Sequence, residues 1–348
     1  MTRNEMNKEC LDINLHRAAD ATGERFMYHF FNYSRVRISL ARPAVVLSVL
    51  LLACLFVPAF AAAEETAVQQ VFASPDAAVT ALVTASNADD MMTLSSILGQ
   101  DSDQILSSGD PVADNNARND FVRRYQEMHR LAYDDQGRVI LYIGAENWPA
   151  PIPLVKKNGG WVFDTAAGKE ELLFRRVGRN ELFTINVLED LTDAQAEYAS
   201  EARDGESTGQ FAQNILSDTG KRNGLYWDTA AGQPESPIGP LVASASAEGY
   251  KKNSSGNPIP FHGYYYKILT RQGKNAPDGA KNYLVNGKMT GGFAFLAYPA
   301  EYRASGVMTF MINQDGVIVQ KDLGPDTAKL ASAIAEYNPD KTWQEVDE

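Results

Sequence analysis

Residues 152–163 read Ile152-Pro153-Leu154-Val155-Lys156-Lys157-Asn158-Gly159-Gly160-Trp161-Val162-Phe163. Two short apolar runs, Ile152–Val155 and Trp161–Phe163, flank Asn-Gly, which supplies the positive φ angles a tight hairpin turn requires. Together with an earlier run, Arg138–Ile143, they predict a small antiparallel sheet. Upstream the pattern is helical. Ser74-Pro75-Asp76 combines a hydroxyl cap, a proline at the first helical position and an acid at the positive dipole end. Val79, Leu82, Val83 and Ser86 then set one face, Asn87–Asp90 cap a second helix, and Phe121, Tyr125, Met128 and Leu131 place a stripe on a third.

Downstream, Lys169–Leu188 predicts another helix, with Leu172, Val177, Ile185 and Leu188 apolar and Arg175, Arg176 and Arg179 polar. Thr192 and Gln195 match a capping box that would start a further helix running towards Arg203. The stretch Gln233–Pro260 is rich in Pro, Gly and Ser and reads as an extended surface segment. Beyond it a meander is expected from Tyr264–Thr270, Tyr283–Val285, Phe293–Ala297, Val307–Ile312 and Val317–Lys321, with turns at Asn286-Gly287 and Asp315-Gly316. A last helix after Pro325 carries Leu330, Ile334 and Tyr337. The fold class is therefore α+β, in two parts. In residues 74–220 helices pack on a small antiparallel sheet, an element order resembling nuclear-transport-factor-2-like domains. Residues 221–348 form a β-meander with a C-terminal helix, loosely similar to the β-domain of pilin-like proteins.

The N-terminal 63 residues have a different composition. Arg35, Arg37 and Arg42 precede the apolar run Ala44–Val57, and Ala59-Phe60-Ala61 or Ala61-Ala62-Ala63 offers small residues for cleavage. This is the pattern of a signal peptide over residues 35–63, followed by a linker over 64–73. Residues 1–34 form a leader upstream of it, and Met27 is an alternative start. A membrane-spanning helix competes with that reading, but the run is shorter than the roughly 20 residues a span needs, and Pro58 interrupts it. Leu51-Leu52-Ala53-Cys54 also resembles a lipobox, in which Cys54 would be lipidated; the apolar Leu55-Phe56-Val57 that follows is unlike the usual polar tether. The expected location is periplasmic or secreted, with membrane contact only through the signal peptide or a lipidated Cys54.

The other cysteine, Cys10, lies in the leader, so a cleaved chain would carry no cysteine, and disulfides, thiolate zinc sites and cysteine nucleophiles are excluded together. Residues 64–348 hold 25 Lys/Arg against 39 Asp/Glu, a net charge of −14 that makes nucleic acid an unsuitable partner. No glycine-rich phosphate loop opens a helix after a strand, and no cofactor is implied.

The strings Gly178-Arg179-Asn180-Glu181-Leu182, Gly224-Leu225-Tyr226-Trp227, Phe261-His262-Gly263-Tyr264-Tyr265-Tyr266 and Gly306-Val307-Met308-Thr309-Phe310 resemble a bacterial secreted family, domain of unknown function 2950, over nearly all of residues 70–346. The resemblance implies export. It supplies no activity and no catalytic residues.

Candidate site residues follow from chemistry alone. Of the two histidines downstream of the leader, His129 falls on a predicted helix and reads as structural. His262 stands among Phe261 and Tyr264–Tyr266, which would wall an aromatic pocket; packing of a turn is the competing role, since an imidazole needs a positioned partner to act as acid or base. Gly160–Gly168 recurs as Gly224–Gly232, both ending aromatic-Asp-Thr-Ala-Ala-Gly. A shared strand-to-turn device explains this, and paired ligand loops with Trp227 and Asp228 are the alternative. Arg175 and Arg179 are candidates for an anionic ligand, against a solvated helix face, and Trp148–Pro153 for an edge offered to another protein, against an irregular strand entry.

Gly205-Glu206-Ser207-Thr208-Gly209 matches the form of a nucleophile elbow without the preceding strand that one needs. Asn313-Gln314-Asp315-Gly316 lacks the further oxygen ligands of a calcium loop and reads as a hairpin turn. No metal site is expected. These features add up to an exported envelope protein that binds another protein or a cell-wall component rather than catalysing a reaction. The alternative is a periplasmic hydrolase of glycan or peptide, using carboxylates near Trp148, Trp161 or Trp227, or His262.

Overall fold

The structure, a computed structural model, describes residues 69–100, 102–230, 232–251 and 259–346. Cys10, Cys54 and the signal-peptide residues lie outside them.

Helix α1 (Pro75–Asn87) starts as its sequence dictates: Ser74 Oγ accepts the Ala77 N–H at 3.1 Å, and Pro75 needs no acceptor at the first position. Asp90 caps α2 (Met91–Leu98) through the Thr93 N–H, and a short α3 (Asp103–Leu106) follows. Helix α4 (Pro111–Glu127) opens on Asp110, whose carboxylate accepts the Val112 and Ala113 N–H groups at 3.1 and 3.0 Å.

The first sheet has β1 (His129–Tyr133) at its edge, then β2 (Val139–Ile143), which pairs with β3 (Trp148–Pro149) and with β4 (Leu154–Lys157), and finally β5 (Gly160–Phe163). Asn158 and Gly159, at φ 52° and 79°, make the tight turn between β4 and β5. Val139, Leu141 and Ile143 alternate inward along β2 and meet Val79, Leu94, Ile97, Leu154 and Phe163 in one buried cluster. The third predicted helix stops short of Leu131. Met128 is already extended, and His129–Tyr133 pair residue by residue with Ile143–Val139. The helical spacing of Tyr125, Met128 and Leu131 is overridden by this pairing and by the Gly144 N–H, which bonds the Arg124 and Met128 carbonyls.

Helix α5 (Thr165–Ser200) is 36 residues long, about 54 Å at 1.5 Å per residue. Two helices predicted from Lys169 and from Thr192 are thus one. Thr192 does not cap; its hydroxyl donates to Leu188 O one turn back. Gln195 is buried and exchanges two hydrogen bonds with the Ala212 backbone. A capping-box pattern is a local signal, and neither glycine nor proline occurs between Arg179 and Ser200 to act on it.

The remainder packs around the C-terminal half of α5. Strands β6 (Asn214–Leu216) and β7 (Gly224–Tyr226) pair in parallel, and α6 (Gly239–Ala247) follows. The second sheet contains β8 (Tyr264–Leu269). Strand β9 (Arg271–Gln272) pairs with β10 (Lys281–Asn282), and β11 (Leu284–Val285) with β12 (Lys288–Met289). Then come β13 (Ala294–Pro299), β14 (Met308–Asn313), β15 (Val319–Asp322), α7 (Thr327–Ala333) and β16 (Gln344–Glu345). The sheet order is β16-β15-β14-β13-β8, antiparallel throughout, so the meander holds except at Tyr283–Val285. That segment leaves the sheet because Tyr283 is fully buried and donates its phenol to Gln272, while β11 finds its partner across the Asn286-Gly287 turn. Helix α7 ends before Ile334 and Tyr337, and Tyr337 bridges Gln272 instead. Val187, Leu188 and Leu191 of α5 bury against Phe293, Phe295, Phe310 and Ile312 in a second cluster.

Two glycines of α5 stand in opposite surroundings. A Cβ at Gly168 would lie 2.5 Å from Pro151 O and 2.6 Å from Ile152 Cα, whereas at Gly178 it would meet nothing within 4 Å. Gly178→Ala is expected to stabilise the fold by about 1 kcal/mol through helix propensity. Gly168→Ala is expected to lose about 1–3 kcal/mol through overpacking despite the same propensity gain. Urea unfolding of the two variants checks both signs.

Candidate functional site

Where the two clusters meet, a two-residue turn carries His262. Phe261 and Tyr264 exchange backbone hydrogen bonds at 2.8 and 3.2 Å, and His262 and Gly263 take φ 48° and 79° between them. The imidazole lies against Phe183, ring centroids 3.8 Å apart, with Phe261 at 4.6 Å and Tyr250 at 5.8 Å. Its Nε2 is 2.8 Å from Glu248 Oε2, a contact that becomes an ion pair only when the ring is protonated.

Beneath the turn sits Asp110, with 0% exposure. Besides the two amides of α4, its carboxylate accepts the Tyr250 hydroxyl at 2.8 Å and the Gly263 N–H at 2.9 Å. The Tyr250 hydroxyl in turn accepts the His262 N–H at 3.1 Å. Gly263 is required twice over, by its φ and because a Cβ would fall 2.7 Å from Asn180 Nδ2.

Burial among the aromatic rings pushes the His262 pKa below the ordinary histidine value, against the pull of Glu248 and Asp110. Burial and the Asp110 carboxylate push the Tyr250 phenol far up, so it serves as a donor. An imidazole beside a carboxylate is half of an acid–base device. Among the described residues, no hydroxyl donates to either ring nitrogen, and Asp110 is already engaged by four donors.

Of the predicted aromatic walls of His262, Phe261 alone takes that place. Tyr264 is fully buried in the second cluster and donates to Met308 O at 3.0 Å, and Tyr266 meets Thr184 at 3.2 Å. Trp227 has Arg203 at 5.5 Å and Arg222 at 5.6 Å from its ring. Asp228 accepts the Tyr226 hydroxyl at 3.0 Å. The repeated string behaves differently in its two copies: a strand precedes both, but Asp164 caps α5 through the Ala167 N–H, whereas the described residues directly after Asp228, 229–230 and 232–238, are not helical.

Arg175 pairs with Glu171 at 2.6 Å and lies 5.0 Å over Trp148; Arg179, one turn on, is exposed. Arg176 donates to the carbonyls of Gln104 and Ile105 and so ties α5 to α3. His262 lies against Phe183 and Phe261, Trp227 beside Arg203 and Arg222, and Arg175 over Trp148, so these three predicted residues stand in separate surroundings. His129 starts β1, on a strand and not on the predicted helix, with its ring stacked on Tyr125 at 3.8 Å. Ser207 lies exposed in a loop with no strand before it or helix after it. The Asn313–Gly316 stretch turns β14 into β15. Among the described residues no three His, Cys, Asp or Glu side chains group as metal ligands, and no helix is long and apolar enough to cross a membrane.

Sequence reasoning missed Asp110, Glu248, Tyr250 and Phe183. Asp110 alone left a signal, as an acid immediately before Pro111 at a helix start. The fold and this junction define a two-core α+β domain. Residues 69–346 match the model of a family described as protein of unknown function (DUF2950), and the chain belongs to that family. No curated protein and no solved structure matches it.

Because folding lowers the His262 pKa, the unfolded chain takes up the proton first as pH falls. The stabilisation from a neutral His262 is complete above the unfolded value, about 6.5, and is lost as pH falls through the folded value. As pH falls below about 6.5, urea midpoints of the wild type are expected to decline more steeply than those of His262→Asn, which keeps the turn but cannot titrate there. Parallel curves would remove His262 as the cause.

Proposed function

We propose that the chain is an exported protein of the bacterial envelope that works by binding a protein partner through the outward face of α5. The export half of this reading rests on the signal-peptide pattern of residues 35–63. The binding half is carried by one observation. Phe174 and Leu182 are 75% and 65% exposed, eight residues apart on the same face, with Gly178 between them open to solvent.

Large apolar side chains in such exposure gain about 1.5–3 kcal/mol each when a partner covers them. The intervening glycine costs the helix about 1 kcal/mol, and contacts within the chain do not demand it. A small residue between two large ones forms a notch into which a partner's side chain or backbone fits. Arg175, shared with Glu171, and Arg179 border the notch, and this local positive charge, set against the net −12 of the chain, favours an acidic segment at this face. Helix α5 presents this face rigidly, because its two halves bury into different clusters.

A photo-crosslinking residue placed at Leu182 in the native envelope is expected to capture a reproducible protein, and Phe174→Asp is expected to reduce that capture at least tenfold without changing the far-ultraviolet circular dichroism. Capture that survives Phe174→Asp, or crosslinking to nothing but glycan, would sink the reading and direct attention to cleavage assays on cell-wall material with a His262→Ala control.

A further inference from the structure

At the far end of α5, away from the notch, its last turn joins the loop that follows it and the β11–β12 turn around a pocket of about 230 Å³. That is room for one or two small residues and not for a folded chain. The floor is Arg203, whose side chain is 7% exposed. Its guanidinium donates to the Tyr198 carbonyl and, at 3.3 Å, to the Glu201 carbonyl and carboxylate, and it stacks on the Tyr198 ring at 4.6 Å. Arginine is thereby fixed in position, with most of its charge already answered.

The mouth differs. Lys288, on the β11–β12 hairpin, donates to Glu206 of the loop across the opening, and Gln210 adds a bond to the same carboxylate oxygen at 3.3 Å. These donors hold the Glu206 carboxyl below its ordinary pKa, so it stays ionised. Both partners of the pair are about half exposed. Phe211, half-buried, supplies an apolar wall.

We propose that this pocket binds a zwitterionic amino acid or short peptide, which opens the Glu206–Lys288 pair and takes its place, ammonium to Glu206 and carboxylate to Lys288, with an apolar side chain against Phe211. An exposed ion pair adds little to stability, so opening it costs little. A ligand with both charges replaces one exposed pair by two charge-assisted ones. A lone anion or cation leaves one partner of the pair unanswered, and a neutral sugar answers neither. The site is separate from the α5 notch, so each idea can fail without the other.

Isothermal titration of the purified protein with dialanine tests it, with N-acetyl-dialanine amide, which lacks both charges, and N-acetylglucosamine as comparisons. Saturable binding of dialanine alone is expected, weakened about tenfold or more by Lys288→Ala and by Glu206→Gln, in keeping with the loss of one charge-assisted bond. Both positions are half exposed, and an unchanged urea midpoint verifies that the variants fold. Absence of binding at millimolar dialanine, equal binding of the blocked peptide, preference for the sugar, or full affinity in both variants would each overturn the proposal.

Discussion

A buried carboxylate with four donors holds the molecule's junction together. Asp110 takes two of them from the first turn of α4, one from Tyr250 and one from Gly263, so segments 140 and 153 residues away in sequence converge on one side chain. Moving a carboxylate out of water costs several kcal/mol, and hydrogen bonds to a charged group return about 1.5–3 kcal/mol each. Four such bonds, two at the positive end of a helix dipole, offset that cost. The carboxylate therefore enforces all of its contacts at once. Removing any one segment leaves a buried charge short of donors, which is why α4, the 248–251 segment and the 261–264 turn behave as one piece.

Helix α5 depends on this junction and reinforces it. Within two turns it sends polar side chains to both halves: Arg176 to the carbonyls at the end of α3, Asn180 to Ser305 O at 2.9 Å, and Glu181 to the Val307 and Met308 N–H groups at 2.8 and 3.0 Å. Each of these pairs satisfies backbone groups that lie outside regular ladders, so they fix direction as well as distance. One face of the helix is fully spent on internal contacts. The opposite face, with Phe174, Gly178 and Leu182, is left over, and its rigidity is a by-product of the same bonds.

The α+β class, the capped starts of α1 and α2, the Asn-Gly turns and four of the five main meander strands were legible in the sequence, because each is written in neighbouring residues. What was not legible depended on remote partners. Leu131 became a strand residue through β2, Thr192 stayed inside a helix because the chain offered nothing to stop it, and Tyr283 left the sheet for Gln272. At the site, His262 and Phe261 were found from local aromatic density, whereas Glu248, Tyr250 and Phe183 carry no local mark. The string Asp-Thr-Ala-Ala-Gly shows the limit plainly: Asp164 caps a helix that has Leu172, Val187 and Leu188 to bury, and Asp228 precedes no such run and turns to a tyrosine instead.

Three of the turns built on one backbone geometry differ in a way that bears on purpose. Asn158-Gly159, Asn286-Gly287 and His262-Gly263 all place the first residue near φ 50° and the second near 78°. Asparagine satisfies that conformation with less strain than most side chains, and in the first two cases the glycine looks onto open space. At the third the glycine is crowded by Asn180 and Ser305, and the first residue is an imidazole enclosed by Phe183, Tyr250 and Phe261. The backbone would accept asparagine there too. What asparagine cannot supply is a ring that fills the aromatic box and a nitrogen that reaches Glu248, so the choice of histidine answers to the junction between the two clusters rather than to the turn.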